Sequence, residues 1–170
     1  MKWNCSVFSD RYTVRRLTEE DIGQIYALCA GNPQFYAYHP PFVTVEDIRE
    51  DLRALPPRCT PEDKYYVGFF DGDALAAVLD LIAGYPGETD GWIGFFMLDA
   101  GRQGRGEGSR ILSELLAVLK ACGCVRVGLG VDRGNPQSAA FWKKNGFTPV
   151  PSEGKPYQVM ERFLFMRGSR

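Results

Sequence analysis

A glycine-rich segment at residues 103–108, QGRGEG, has the composition of a loop that binds phosphate groups. Its glycines, Gly104, Gly106 and Gly108, come directly before an amphipathic stretch at residues 109–120 that predicts a helix. Glycine lets backbone N–H groups converge on one ligand without interference from a Cβ atom. A helix N-terminus adds unpaired donors and a partial positive charge. We therefore expect this segment to bind a phosphorylated ligand.

Two common phosphate-binding patterns do not fit this segment. A nucleoside-triphosphate loop requires Lys followed by Ser or Thr after its last glycine, whereas Ser109 and Arg110 follow Gly108 here. A dinucleotide fingerprint requires Gly-x-Gly-x-x-Gly, and the last glycine of this segment comes one position too early. A nucleotide-binding domain is therefore the weaker alternative. The spacing that does fit is Gln/Arg-x-x-Gly-x-Gly, with Gln103 at its first position.

A second segment, residues 135–147, has the sequence NPQSAAFWKKNGF: an asparagine, an aromatic pair and a Gly-Phe pair. The two segments, in this order and separated by a helix and a strand, resemble the acetyl-CoA-binding region of the GNAT superfamily of N-acetyltransferases. The resemblance is strongest over residues 63–150. It implies an enzyme that transfers acetyl from acetyl-CoA directly to a primary amine, with no metal.

The same resemblance implies a cofactor site between two parallel strands, residues 92–98 and 125–131, that splay apart. The pyrophosphate would lie on the backbone of residues 103–108, and the Leu98 N–H, where the strand bulges, would polarise the thioester carbonyl. Arg102 and Arg105 would either neutralise phosphate or face solvent. The side chain of Glu107, which has the wrong charge, is expected to point away. The residues assigned to acetyl-CoA are Met97, Leu98, Gln103, Gly104, Arg105, Gly106, Glu107, Gly108, Ser109, Asn135, Phe141 and Trp142.

Two positions in the second segment have more than one interpretation. Asn135 would contact coenzyme A, cap the helix that follows it, or do both. Trp142 stands where many family members have a tyrosine that protonates the departing thiolate, and an indole N–H is not a usable acid. A thiol whose pKa is about 8.5 can leave as the thiolate without that acid, and water or another tyrosine could also supply the proton. Trp142 would then pack against the pantetheine arm or fill the core.

The amine must lose a proton before it attacks, so the site needs a base. Asp80 lies in an apolar strand, where a carboxylate is expected to be either functional or paired in a salt bridge. Asp99 follows the strand before the glycine loop. Tyr85 lies in the turn after the Asp80 strand and is expected to reach the same acceptor site as Asp80. We predict Asp80, Asp99 and Tyr85 as the catalytic residues. His39 is a weaker alternative, because a single loop histidine is more often a surface residue.

The pattern of apolar residues and turn signals predicts one α/β domain over residues 1–170. We expect a GNAT-like mixed, mostly antiparallel sheet of six or seven strands, with a splayed parallel pair and about four flanking helices. The predicted strands are residues 12–17, 64–70, 74–82, 92–98, 125–131, 147–150 and 158–165. The predicted helices are residues 18–30, 44–55, 109–120 and 135–145. An aromatic, proline-rich loop is predicted at residues 31–43.

Composition excludes several classes of protein. The net charge of −1 gives no electrostatic support for nucleic-acid binding. No apolar stretch has the length of a membrane span, and the N-terminus lacks a signal core, so we predict a cytoplasmic location. One histidine and five cysteines lack zinc-site spacing. Phe163, Phe165 and Met166 would belong to a closing strand or to the edge of a homodimer.

The acetyl acceptor is the least defined part of the prediction. An aromatic segment from Phe35 to Phe42, with nearby carboxylates, suits a small cationic amine. A protein N-terminus or a lysine side chain is an alternative acceptor. A different class of function, an acyl-CoA-binding sensor without turnover, is also left open by Trp142 and by the lack of a glutamate in the strand before the glycine loop.

Overall fold

Seven strands form one sheet in the computed structural model, which describes residues 2–165. The strands are β1 (Thr13–Arg16), β2 (Lys64–Asp71), β3 (Ala74–Ala83), β4 (Asp90–Leu98), β5 (Arg126–Asp132), β6 (Thr148–Pro149) and β7 (Tyr157–Phe163). Their order across the sheet is β1-β2-β3-β4-β5-β7-β6, and only β4 and β5 are parallel neighbours. The predicted mixed sheet with one parallel pair is confirmed.

Helices cover both faces of this sheet. The five α-helices of the described residues are α1 (Ile22–Ala30), α2 (Pro33–Tyr38), α3 (Val45–Arg53), α4 (Glu107–Ala121) and α5 (Pro136–Lys144). Reciprocal side-chain and backbone bonds between Thr44 and Asp47 start α3, and the Asn135 side chain accepts from the Ser138 N–H to start α5. Among residues 2–165, no helix has both the length and the apolar character needed to cross a bilayer.

Alternation along β3 divides the core into two layers. Leu79 and Leu81 pack into the layer beneath α4 and α5, whereas Val78 packs into the layer beneath α1 and α3. Because both faces of β3 are buried, its sequence is an almost continuous apolar run. Asp80 interrupts that run on the same face as Val78, which places a carboxylate beneath α1 and α3.

The parallel pairing of β4 and β5 stops after four residue pairs, from Asp90 with Arg126 to Ile93 with Leu129. Beyond Ile93, β4 continues alone on this side to Leu98, while β5 keeps its antiparallel partner β7. The splayed parallel pair expected from the resemblance is therefore present. The gap opens at the carboxyl ends of both strands, which is where α/β proteins bind ligands.

The prediction of a loop at residues 31–43 is wrong in part, because residues 33–38 form α2. Gly31-Asn32-Pro33 indicated the end of a helix, but Pro33 occupies the first turn of a new one, where its fixed φ is favourable. The closing strands are also shorter than predicted: β6 has two residues, and β7 ends at Phe163. Met166 lies outside the described residues, and a dimer edge stays a prediction.

Replacing Leu79 tests the division of the core around β3. Leu79 has no exposed surface, so Leu79→Ala leaves a cavity and should lower the free energy of unfolding by about 2–5 kcal/mol. Val45→Ala on α3 is the control, because 43% of Val45 is exposed and its truncation should cost under about 0.5 kcal/mol. Urea unfolding measures both. Equal losses for the two variants would contradict the packing described here.

Candidate functional site

The glycine loop leads into α4 with its backbone donors free. Gly104 and Gly106 have φ values of +77° and +79°, a region that L side chains rarely adopt, and Gly106 is the residue that caps α4. The first intrahelical bond runs from the Arg110 N–H to the Gly106 carbonyl, so the preceding N–H groups have no acceptor within the helix. Within the described chain, no side chain caps this end of α4. The arrangement suits an anion.

Gln103 fixes the start of this loop to the end of β4. Its side-chain amide donates to the Leu98 carbonyl at 3.0 Å and to the Asn32 side-chain oxygen at 2.6 Å. Asn32 also donates to the Leu98 carbonyl, at 3.2 Å. The first residue of the motif therefore sets the position of the loop relative to the strand. The resemblance implied a bulge at Leu98, and this is wrong: Leu98 pairs with Ala77, and the irregular register lies at Gly94.

Charged side chains of the loop are held away from the free amides. The Tyr12 hydroxyl donates to the Glu107 carboxylate, and Arg11 approaches the same carboxylate at 3.8 Å, so Glu107 points away as predicted. Arg102 forms an ion pair with Asp71 at 3.0 Å. Arg105 donates to the Gly101 carbonyl at 3.1 Å. In this structure, both arginine side chains contact other parts of the chain, and a role toward phosphate stays a prediction.

The loop forms one wall of a cleft of about 620 Å³, called the glycine cleft here. Every residue predicted to bind acetyl-CoA lines it except Arg105. Lys144 also lines it, although no motif in the sequence predicted this residue as a cofactor contact. A signal for Lys144 exists in the helical spacing, because it follows Phe141 by three residues on α5 and so shares a face with it. Asn32 and Gln34, from the α2 region, carried no comparable signal.

Four aromatic side chains from β4, α5 and the segment after α5 pack together near the open end of the parallel pair. Phe96 of β4 lies 6.2 Å from the ring centroids of both Phe141 and Trp142 on α5. Trp142 meets Phe147 edge to face at 5.2 Å and is only 7% exposed. Trp142 is therefore part of the core, and it also lines the glycine cleft. We call Phe96, Phe141, Trp142 and Phe147 the aromatic wedge.

A second cleft, of about 480 Å³, adjoins the first and shares Phe35, Phe96, Ser138 and Trp142 with it. We call it the acidic cleft, because it is lined by Asp47 and Asp51 of α3, Asp80 of β3 and Asp132 of β5. Among the described residues, no arginine or lysine lines it. Burial raises the pKa of Asp51, and the Lys64 charge partly opposes that effect. Asp47 and Asp51 are four residues apart on one helix, a spacing visible in the sequence.

Asp80 is paired rather than free. Lys64 on β2 donates to both Asp80 carboxylate oxygens at 2.9 Å, and the Lys64 side chain is 5% exposed. Burial raises the pKa of Asp80, and the Lys64 ammonium partly offsets this rise. Gly94 lies against this carboxylate: a Cβ there would be 3.0 Å from the Asp80 Oδ2 atom. The pair is buried beside the β4 bulge, at the base of the acidic cleft.

The structure does not bring the other two predicted catalytic residues into this site. Asp99 and Tyr85 line neither cleft, although Tyr85 contacts Trp92, which does line the acidic cleft. His39, the weaker alternative, does line the acidic cleft, and its Nδ1 atom lies 2.9 and 3.0 Å from the two Asp132 carboxylate oxygens. Asp132 ends β5, a position where parallel strands place functional side chains. The described residues contain no cluster of His, Cys, Asp and Glu suited to a metal ion.

Comparison with known proteins agrees with this arrangement. The model of the acetyltransferase (GNAT) family matches residues 24–147. The chain belongs to this family. It is also 34% identical over 127 residues to the mycothiol acetyltransferase of Beutenbergia cavernae, and this match covers 74% of the chain and 41% of the relative. The chain thus matches about two fifths of that relative's length.

Solved structures show the same GNAT fold. An acetyltransferase from Thermus thermophilus superposes with a TM-score of 0.77 at 25% identity, covering 88% of this chain and 95% of the other. The PaiA N-acetyltransferase of Thermoplasma acidophilum, solved in complex with coenzyme A, gives a TM-score of 0.67 at 18% identity. That match covers 89% of this chain and 98% of the other, and it supports the fold alone.

Breaking the Lys64–Asp80 pair should destabilise the protein in a way that depends on pH. Lys64→Met leaves a buried carboxylate without its partner and should cost about 3–5 kcal/mol at pH 7. It also removes the charge that limits the upward shift in the pKa of Asp80. Between the unfolded pKa, about 3.9, and the higher native pKa, the native state binds more protons than the unfolded state. Stability relative to wild type should therefore fall as pH rises.

Urea unfolding between about pH 4.5 and pH 7.5 measures this difference. The double variant Lys64→Met/Asp80→Asn is the control, because it has no carboxylate left to titrate at this position. The stability of the single variant relative to this double variant should fall as pH rises, because only the single variant has an Asp80 carboxylate to titrate. A deficit of the single variant that stays constant with pH would show that Asp80 is not the buried, titrating partner.

Proposed function

We propose that this chain, as a single domain over residues 1–170, is an N-acetyltransferase that transfers acetyl from acetyl-CoA to the primary amine of a small cationic molecule. The observation that carries the proposal is the meeting of two clefts of opposite character at the gap between β4 and β5. The glycine cleft presents backbone donors suited to phosphate, and the acidic cleft presents carboxylates suited to an ammonium group. Both reactants can therefore reach the shared wall formed by Phe35, Phe96, Ser138 and Trp142.

The glycine cleft fits the pyrophosphate of acetyl-CoA. A Cβ atom added at Gly104 or Gly106 would meet no protein atom within 4 Å, so the loop leaves open space over its backbone. Gly108 is buried against Phe141, where a Cβ would lie 3.3 Å from the ring, so glycine also lets α4 and α5 approach closely. Lys144 on the same cleft would add positive charge. The bound cofactor would supply an acetyl thioester to the shared wall.

Residues of the chain would polarise the thioester, hold the acceptor and exclude water. We infer that the Leu98 N–H donates to the thioester carbonyl, as the family resemblance implies, and stabilises the negative charge that develops on its oxygen. Asp51 would hold the acceptor in its ammonium form near that carbonyl. The aromatic wedge would exclude water from the reacting atoms and so limit hydrolysis. Direct transfer in a ternary complex needs no acyl-enzyme nucleophile.

The charge of the acidic cleft supports a cationic acceptor over an anionic one. Four carboxylates and no arginine or lysine line it among the described residues, and only Asp80 is neutralised by a lysine. Phe35 and Tyr36 also line the acidic cleft. Their aromatic rings would pack against the carbon chain of the acceptor or against its cationic group. The name of the mycothiol acetyltransferase relative also indicates a small-molecule acceptor. A peptide N-terminus or lysine remains the alternative acceptor.

Gly106→Asp should weaken binding of acetyl-CoA at least tenfold, or about 1.4 kcal/mol. The new carboxylate would enter the space over the free amides and repel the pyrophosphate. Gly123→Asp is the matched control, because Gly123 also has a positive φ, +86°, and open space around it, but lies beyond the far end of α4. Calorimetric titration with acetyl-CoA measures both. Equal affinity of a folded Gly106→Asp protein and wild type would place the cofactor elsewhere.

The acceptor class is tested by thiol release from acetyl-CoA with a panel of amines. The panel contains a linear polyamine, an aminoglycoside, an amino acid amide, an anionic amino acid and a peptide with a free N-terminus. We expect release with the cationic small molecules. Asp51→Asn should raise the KM for the preferred amine about fivefold, since it removes a carboxylate from the cleft.

Glu50→Gln is the matched control. It removes one negative charge from the same helix, α3, but Glu50 does not line the acidic cleft. It should leave the KM for the amine within twofold of wild type, by the small size of surface charge effects. Release only with the peptide would move the proposal to protein acetylation. Tight binding of acetyl-CoA without release for any amine would support a sensor instead.

A further inference from the structure

The contact between His39 and Asp132 joins two parts of the chain that are 93 residues apart in sequence. His39 follows the last residue of α2, and Asp132 is the last residue of β5. Both Asp132 oxygens lie within 3.0 Å of the His39 Nδ1 atom, and both residues line the acidic cleft. An ionised carboxylate only accepts hydrogen bonds, so the Nδ1 atom must carry the proton. The Nε2 atom of the neutral ring is then left with a free lone pair.

We infer that His39 is the general base of the proposed acetyl transfer and that Asp132 is a positioning residue that fixes its tautomer. The inference rests on the proposed function. A base oriented by a carboxylate is a recurrent way to hold an imidazole ready to accept a proton. Asp80 is less suited to this role, because Lys64 occupies both of its oxygens. Asp51 and Asp47 of α3 line the same cleft.

The proton balance of the reaction fits the exposure of His39. An ammonium acceptor gives one proton to the Nε2 atom, and the resulting amine lone pair forms the C–N bond to the thioester carbonyl carbon. The C–S bond breaks, and its electron pair leaves on sulfur. The second proton lost by the nitrogen goes to the departing thiolate. Because the His39 side chain is 59% exposed, the imidazolium can return its proton to solvent before the next turnover.

The His39 ring also contacts Phe35. The Phe35 ring centroid lies 5.4 Å from that of His39, with the two planes inclined by 31°. Phe35 lines both clefts. The imidazole therefore lies between an aromatic ring at the shared wall and the carboxylate at the end of β5. Through Phe35, the imidazole adjoins the wall that the acidic cleft shares with the glycine cleft, which is where the proposed transfer would take place.

The chain contains one histidine, so its imidazole can be observed without ambiguity. Two-dimensional ¹H–¹⁵N spectra of protein purified without a histidine tag should show the neutral Nδ1–H tautomer in wild type. Asp132→Asn should lose this preference, whereas Asp51→Asn should keep it. A neutral wild-type ring that carries its proton on Nε2 would overturn the role of Asp132. This measurement does not depend on finding an acceptor.

Kinetics with the amine selected by the panel test the base itself. His39→Ala should lower kcat by about 100-fold, the usual contribution of a general base, with the KM for acetyl-CoA within twofold of wild type. Added imidazole should restore part of the rate in His39→Ala but not in Asp51→Asn. An unchanged kcat in His39→Ala, or no rescue by imidazole, would overturn the proposal. Wild-type protein that acetylates no amine would instead overturn the proposed function, and the base role with it.

Discussion

The separation of β4 from β5 is the constraint on which the site depends. At the paired end, Arg126 donates to Asp90 of β4 and to Glu161 of β7, so one guanidinium ties three strands together. At the open end, β4 and β5 no longer pair, and Phe96 of β4 packs in the aromatic wedge. Main-chain groups of β4 beyond Ile93 consequently have no partner on the β5 side. Such groups need hydrogen bonds, and a ligand in the gap would supply them.

Charged side chains are distributed unevenly around the gap between β4 and β5. Glu107 comes first in the helix that carries the free amides, and its carboxylate is drawn away by Tyr12 and Arg11. On the other side of the wedge, the carboxylates of α3 and β5 are left unneutralised by lysine or arginine among the described residues, while Asp80 is held by Lys64. The cleft proposed to bind phosphate and the cleft proposed to bind an ammonium group therefore lie side by side. The wedge, which contains no charged side chain, separates them.

Local patterns accounted for much of this structure. The alternation along β3, the capping residues Thr44 and Asn135, and the glycine loop depend on neighbours in sequence, and the structure bears them out as elements. The acidic cleft could not be predicted in the same way, because its carboxylates come from α3, β3 and β5 and meet only through the order of strands in the sheet. Asp99 and Tyr85 were selected by closeness in sequence to the glycine loop or to Asp80, and that closeness does not place them in either cleft.

Trp142 shows why a motif position cannot be assigned a role by its place alone. A tyrosine at this position would bring a hydroxyl to the wall shared by the two clefts, whereas the indole packs against Phe141 and Phe147 and strengthens the wedge. The chain thus has a larger apolar contact at the point where β4 and β5 part, and no acid there. Since a thiolate is a weak base compared with an amine, its departure needs less help than deprotonation of the acceptor does. Proton transfer is therefore needed mainly at the amine. The residues that could accept this proton line the acidic cleft.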